Sequence, residues 1–219
     1  MTQSSDPRRW GVLGSGEVGQ VLAKGLATTG HEVRIGTRSP GKLAKFSKKT
    51  GIAEGGFREV AAWAEALVFA VLGKAALEAV ELAGPANLNG KLVIDTTNPI
   101  SDDPPVDGVL RYFTGPNESL MERLQAAHPA IAFVKAFNSV GSALMVHPTL
   151  SGGPPTMFYC GNDAGAKAVV ARLLEHLGWE GADMGGAVAA RALEPLAQLW
   201  CIPGFRENDW MHAFRLLRV

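Results

Sequence analysis

The stretch Trp10-Gly11-Val12-Leu13-Gly14-Ser15-Gly16-Glu17-Val18-Gly19 decides the fold. A short apolar strand runs directly into a Gly-x-Gly-x-x-Gly turn, and the amphipathic segment from Val18 to Thr29 follows as a helix. In that context Gly14 allows the tight strand-to-helix turn, Gly16 lets the backbone come close to a pyrophosphate, and Gly19 lets helix and strand pack closely. An anion then rests on the unpaired amides at the helix N-terminus. Gly14, Ser15, Gly16, Glu17, Val18 and Gly19 therefore read as dinucleotide-binding residues.

The second strand, His31-Glu32-Val33-Arg34-Ile35, indicates which dinucleotide. An NAD site places an acid at the end of this strand to accept hydrogen bonds from the ribose 2′-hydroxyl. Here the strand ends in Gly36-Thr37-Arg38-Ser39-Pro40-Gly41-Lys42, and Glu32 sits at its start, the wrong end for the ribose. Thr37, Arg38, Ser39 and Lys42 offer hydroxyls, a guanidinium and an ammonium, the groups that hold a dianionic 2′-phosphate. The expected cofactor is NADP(H).

Strands alternate with helices along the rest of the chain, the pattern of a parallel sheet covered on both faces. Leu43 to Lys49 reads as the second helix, Ile52-Ala53-Glu54 as a short strand and Phe57 to Ala64 as a third helix. Leu67-Val68-Phe69-Ala70-Val71 is an uninterrupted apolar run, as expected of a central strand. Lys74 to Ala83 follows as a helix and Lys91-Leu92-Val93-Ile94-Asp95 as a strand. Ser101 to Pro116 lacks periodicity and holds Pro104 and Pro105, so it reads as a functional or mobile loop, a candidate lid.

Ser119-Leu120-Met121-Glu122 has the spacing of a capping box and opens a helix that stops before Pro129. Strands are expected at Ala132–Phe137, Thr156–Cys160 and Trp179–Asp183, with a helix capped by Asn162 or Asp163 running through His176. The tail reads as two helices, the first from Ala187 to Trp200 with Pro195 expected to kink or interrupt it. Trp200, Phe205, Trp210 and Phe214 concentrate aromatics there. They suit an oligomer contact, a wall of the substrate pocket, or packing of the helix pair on its own sheet.

These elements add up to an α/β fold, a doubly wound, mostly parallel Rossmann sheet over residues 1–185 with a helical extension over 186–219. The chain carries 21 basic and 21 acidic residues, which leaves no bulk attraction for nucleic acid. With 47% of residues hydrophobic it can bury a core. Cys160 and Cys201 form no Cys-x-x-Cys pattern, so neither a disulfide framework nor a zinc site is expected. Met1 to Asp6 is polar, Arg8-Arg9 leads into a glycine-rich strand, and no apolar run is long enough to span a membrane. The expected setting is cytoplasmic, with a small-molecule redox acceptor as partner and no nucleic acid or membrane.

The chain resembles the NADPH-dependent deazaflavin (coenzyme F-420) reductase family, whose Rossmann domain is shared by the cytosolic domain of the STEAP metalloreductases. The matching segments are Gly14 to Gly19, Gly30-His31-Glu32-Val33, Gly36-Thr37-Arg38, Asp95-Thr96-Thr97-Asn98-Pro99, Val134-Lys135-Ala136-Phe137-Asn138, Cys160-Gly161-Asn162-Asp163 and Ala190-Arg191-Ala192-Leu193-Glu194-Pro195-Leu196-Ala197. Leu72-Gly73-Lys74 departs from the proline that family members often carry after the fourth strand. The resemblance implies hydride transfer between the nicotinamide of NADP(H) and a stacked deazaflavin (coenzyme F-420) or flavin acceptor.

That chemistry resides in the two cofactors, so no dedicated acid or base is required, and the sequence offers no catalytic constellation. His31, His128, His147, His176 and His212 are scattered, and Lys135 within an apolar strand reads as structural, an ammonium in need of a partner. Ligands of doubly wound sheets bind at strand C-terminal ends. Val71-Leu72, Asn98-Pro99 and Ala136-Phe137-Asn138 should therefore border the rings, with Asn98 and Asn138 either bonding to the ligand or forming ordinary turns. Two alternatives accompany the deazaflavin reading: a flavin, quinone or ferric reductase on the same scaffold, and a non-catalytic NADP sensor. A homodimer through the C-terminal helices is the expected assembly. A hydroxy-acid dehydrogenase is disfavoured, since too few residues follow the sheet to build its large helical domain.

Overall fold

The structure, a computed structural model, describes residues 6–219; Met1 to Ser5, part of the stretch read above for a leader, lie outside it. Eight strands form one sheet: β1 (Arg9–Leu13), β2 (Glu32–Gly36), β3 (Ala53–Gly55), β4 (Ala66–Phe69), β5 (Leu92–Asp95), β6 (Ala132–Lys135), β7 (Thr156–Gly161) and β8 (Glu180–Asp183). Their order is β3-β2-β1-β4-β5-β6-β7-β8. Every pairing is parallel except β6 with β7. The order reverses between β1 and β4, which opens a crevice there at the strand C-termini, where ligands of such sheets bind.

Among the described residues six α-helices connect strands, α1 (Glu17–Thr28), α2 (Ala44–Thr50), α3 (Phe57–Trp63), α4 (Ala76–Ala83), α5 (Leu120–Ala127) and α6 (Ala164–His176), and α7 (Ala190–Glu207) follows the last strand. Because successive strand side chains point to opposite faces, one apolar run feeds two cores. Trp10, Val12, Ala66, Val68 and Ile94 pack with Leu22 and Leu26 of α1 and Leu173 of α6. Leu13, Leu67, Phe69, Val93 and Phe133 pack on the other face with Val60, Val80, Leu124 and Leu193. This two-sided burial is why the central strands read as continuous apolar stretches.

The local end signals form as the sequence implies. Ser119 Oγ accepts from Glu122 N at 3.1 Å and bonds the Glu122 carboxylate at 2.8 Å, closing the capping box. Asp163 caps α6 by accepting from Ala166 N at 2.7 Å.

The tail departs from the expected pair of helices. A single helix, α7, runs through both Pro195 and Pro203, and residues 209–219 carry no regular structure. An interior proline removes one backbone hydrogen bond and costs about 3 kcal/mol. Burial of Leu193, Ala197 and Trp200 along one face of α7 offsets that cost. The last segment returns to the body as an irregular strap: Thr156 N donates to Phe214 O and Leu216 N to Thr156 Oγ1. Trp200 stacks on His212 at 5.1 Å and lies 5.5 Å from Trp210, so the aromatics pack on their own chain.

Candidate functional site

The crevice at the β1/β4 switch is a cleft of about 570 Å³, within the usual range for ligand pockets. Its floor is the glycine turn. Gly14 has φ +137, and a Cβ there would fall 2.0 Å from Ala70 O, so only glycine fits. A Cβ on Gly19 would fall 2.0 Å from Gly14 O, the close approach that seats α1 against its own turn. At Gly16 a Cβ would meet nothing within 4 Å, so this residue faces open cleft where a ligand backbone can approach. Gln20 Nε2 donates to Ser15 O at 3.0 Å and holds the loop in shape. The first amides of α1 are thereby presented to the cleft, a site for an anion.

The second wall is the loop after β2. Thr37 is buried, and its Oγ1 accepts from Ser39 N at 3.1 Å. The Glu54 carboxylate on β3 accepts from Gly41 N at 3.1 Å and Leu43 N at 2.9 Å. These bonds shape the loop so that Arg38, Ser39 and Lys42 line the cleft. The Arg38 guanidinium is 3.6 Å from the Glu78 carboxylate on α4, and both side chains are exposed.

The opposite wall joins the ends of β4 and β5. Val71, Leu72, Gly73 and Lys74 face Thr96, Thr97, Asn98 and Ile100 to Asp102. A Cβ on Gly73 would lie 1.9 Å from Asn98 O, so the two segments touch through backbone and only glycine can stand between them. This accounts for the glycine of Leu72-Gly73-Lys74. Lys74 pairs with Asp102 across the mouth. Beyond Asp102 the candidate lid leaves the cleft and docks on α7, where Leu110 O accepts from Gln198 Nε2 and Tyr112 Oη donates to Glu194 O.

Gly14 to Val18, Thr37, Arg38, Ser39, Lys42, Val71, Leu72 and Asn98 thus meet at one cleft, whereas Gly19, Pro99, Ala136, Phe137 and Asn138 do not line it. Phe137 takes a left-handed backbone turn (φ 59) that sends its ring into the core, edge-on to Trp179 at 6.5 Å. Asn138 is buried and spends its amide on Asn98 Oδ1 at 3.0 Å and Leu193 O at 2.8 Å, while Asn98 Nδ2 donates to Asn138 O at 2.7 Å. The two asparagines bond to each other and brace the ends of β5 and β6. Among the described residues no histidine lines the cleft.

Sequence reasoning missed two features. The first is the α4 face of Ala75, Glu78, Ala79 and Leu82, which borders the cleft although nothing in its local pattern marks it. The second lies beneath Thr97, where Lys135 Nζ donates to Thr97 O at 2.6 Å and sits 2.6 Å from Asp95 Oδ2 and 3.0 Å from Glu194 Oε1. All three charged side chains are buried. Asp95 Oδ1 accepts from Thr97 N and Oγ1, and Glu194 accepts from Leu120 N and Met121 N at the start of α5. The Asp95 Oδ2 contact is an ion pair without well-aligned hydrogen-bond geometry. Burial alone would depress the Lys135 ammonium, but the two carboxylates outweigh it and hold it above its ordinary value. Lys135 is structural, and the partner it needed comes from two other segments.

Residues 9–99 match the family described as NADP oxidoreductase coenzyme F420-dependent. Rat metalloreductase STEAP3 is 31% identical over 199 residues, covering 88% of this chain but only 38% of that protein. A crystal structure of a provisionally assigned F420-dependent NADP-reductase from Arthrobacter sp. FB24 superposes with a TM-score of 0.89 at 35% identity, over 95% of this chain and 99% of that one. A reductive aminase from Aspergillus terreus in complex with NADPH gives a TM-score of 0.66 at 18% identity, over 92% of this chain and 62% of that one, and shares the fold.

Proposed function

This chain belongs to the NADP oxidoreductase, coenzyme F420-dependent family, and from that membership we propose that it transfers hydride between NADP(H) and a deazaflavin (coenzyme F-420) type acceptor. The observation that carries the reading is the composition of the cleft. One side holds helix amides, Thr37, Arg38, Ser39 and Lys42; the other joins the apolar Ala70, Val71, Leu72 and Ile100 to Thr96, Thr97, Asn98 and the Lys74–Asp102 pair. Hydride donation and acceptance belong to the nicotinamide and the acceptor ring when both are bound.

The chain's own residues bind, orient and exclude water. In this reading the amides after Gly14 receive the pyrophosphate at the open face of Gly16. Arg38 and Lys42, with the Thr37 and Ser39 hydroxyls, take the 2′-phosphate through charge-assisted hydrogen bonds. Leu72, exposed at the cleft, gives an apolar surface on which a flat ring can stack, and Asn98 is held rigid behind it by Asn138. Positioning of two rings at reacting distance supplies the rate enhancement.

Residues 1–185 serve as the cofactor domain and 186–219 as an extension in this proposal. We place the enzyme in the cytoplasm; among the described residues no helix is long and apolar enough to cross a membrane. It pairs as a homodimer through α7, where Leu199 and Phe205 stand exposed. A second reading, reduction of a flavin, quinone or ferric chelate, is favoured by the likeness to the rat metalloreductase. Following NADPH oxidation at the nicotinamide band against deazaflavin, FMN, FAD, quinone and ferric acceptors separates them. Turnover with the deazaflavin supports the first reading and turnover only with the others the second. Silence with every acceptor, with NADPH still bound, would favour a non-catalytic NADP sensor.

A further inference from the structure

The end of β2 carries no acid, yet the fold brings one to the same corner from the facing wall. Three acids border the cleft where their partners can be compared: Glu17 accepts from Ser142 Oγ at 2.8 Å, Asp102 pairs with Lys74, and Glu78 faces Arg38 at 3.6 Å. Glu78 lies on α4, one strand across from the loop that carries Arg38, so its carboxylate reaches the guanidinium only because β1 and β4 are neighbours. An anion that binds Arg38 through Nη1 meets the Glu78 carboxylate on the same side of the guanidinium.

We propose that Glu78 is a specificity-determining residue of this site: it competes with the cofactor's 2′-phosphate for Arg38 and so narrows the preference for the phosphorylated cofactor. The inference rests on the reading that Arg38 receives the 2′-phosphate. Arg38 and Glu78 are both well exposed, so the competing pair is weak and reversible rather than a block. A phosphate with two charges and a better bidentate fit displaces it, and the affinity measured is what remains after the carboxylate is set free beside the new dianion. The unphosphorylated cofactor has no such group and leaves the Arg38–Glu78 pair undisturbed.

The test uses 2′,5′-ADP and 5′-AMP as probes on the full chain, titrated by calorimetry on wild type, Glu78→Gln, Arg38→Ala and the double variant. Glu78→Gln is expected to tighten 2′,5′-ADP about two- to fivefold, the range of an exposed ion pair, with 5′-AMP unchanged within error. In the Arg38→Ala background the same substitution should gain distinctly less, because the contested partner is gone and only the carboxylate's through-space repulsion of the dianion is relieved. An unchanged or weakened 2′,5′-ADP affinity in Glu78→Gln, an equal gain for both probes, or a full gain surviving in the double variant overturns the proposal. Should Arg38→Ala leave 2′,5′-ADP untouched, the underlying reading of Arg38 fails; should it weaken 2′,5′-ADP while Glu78→Gln does nothing, only the role of Glu78 fails.

Discussion

Lys135 Nζ lies 3.0 Å from Glu194 Oε1, an ion pair with both side chains buried that ties the end of β6 to the second turn of α7. Asp95 completes the cluster from β5. Three of the segments that carry the family resemblance, Asp95 to Pro99, Val134 to Asn138 and Ala190 to Ala197, therefore meet at one point beneath the cleft wall. All three ammonium hydrogens have oxygen neighbours, and the excess negative charge sits against the positive end of α5.

Removing the cation from this cluster should be severe. Lys135→Met leaves two buried carboxylates without compensation, and a loss of about 3–5 kcal/mol is expected in urea unfolding. Glu194→Gln, which keeps most of the shape, should cost less. The pH sign follows from the raised Lys135 value: its stabilisation is complete below the ordinary lysine range and is lost as pH rises through the higher folded value. Wild type should therefore lose stability in strongly alkaline solution. An unfolding midpoint for Lys135→Met equal to that of wild type would show that the cluster contributes nothing.

The glycines of the first turn should separate folding from binding. Gly16→Ala adds a methyl to open space, so its melting temperature should match wild type while NADPH binding weakens about tenfold or more, since the methyl occupies the ligand's approach. Gly14→Ala places a Cβ 2.0 Å from Ala70 O on a left-handed backbone and should lower stability or prevent folding. If Gly16→Ala binds NADPH as wild type does, the pyrophosphate does not approach there.

Arg38→Ala should weaken NADPH by about 1.5–3 kcal/mol, the worth of a charge-assisted contact, with NADH much less affected. Fluorescence titration of both nucleotides reads the difference. Equal loss for the two would remove Arg38 from the phosphate corner.

The two thiols should be inert in the native state. Burial pushes Cys160 up to about 12 and Cys201 up to about 11, so at pH 8 neither carries appreciable thiolate. Reaction with a chromogenic disulfide should be slow until denaturant is added, with the half-buried Cys201 modified before Cys160. Rapid stoichiometric labelling at pH 8 would contradict this.

What could be read without the structure was whatever depends on neighbours in sequence. The glycine run, the apolar strands, the capping box at Ser119 and the basic loop from Thr37 to Lys42 each declare themselves within a few residues. Period and turn chemistry act over that range. From them came the doubly wound sheet and about half of the cleft lining. Pro195 misled the reading of the tail, since burial of one helix face outweighs a local backbone penalty.

Only the tertiary structure decided which distant groups meet. Asn98 and Asn138 could each have faced a ligand; the adjacency of β5 and β6 pairs them with one another and leaves Asn98 on the cleft wall with Asn138 buried behind it. Lys135 needed counter-charges that no sequence pattern specifies, and strand order supplied Asp95 while the packing of α7 supplied Glu194. Glu78 looks like any solvated helix acid until β4 is laid beside β1 and the carboxylate comes to face Arg38. Side-chain chemistry is written locally, whereas the partner of a buried or cleft-facing charge is chosen by long-range packing, in which sequence separation has no bearing on distance.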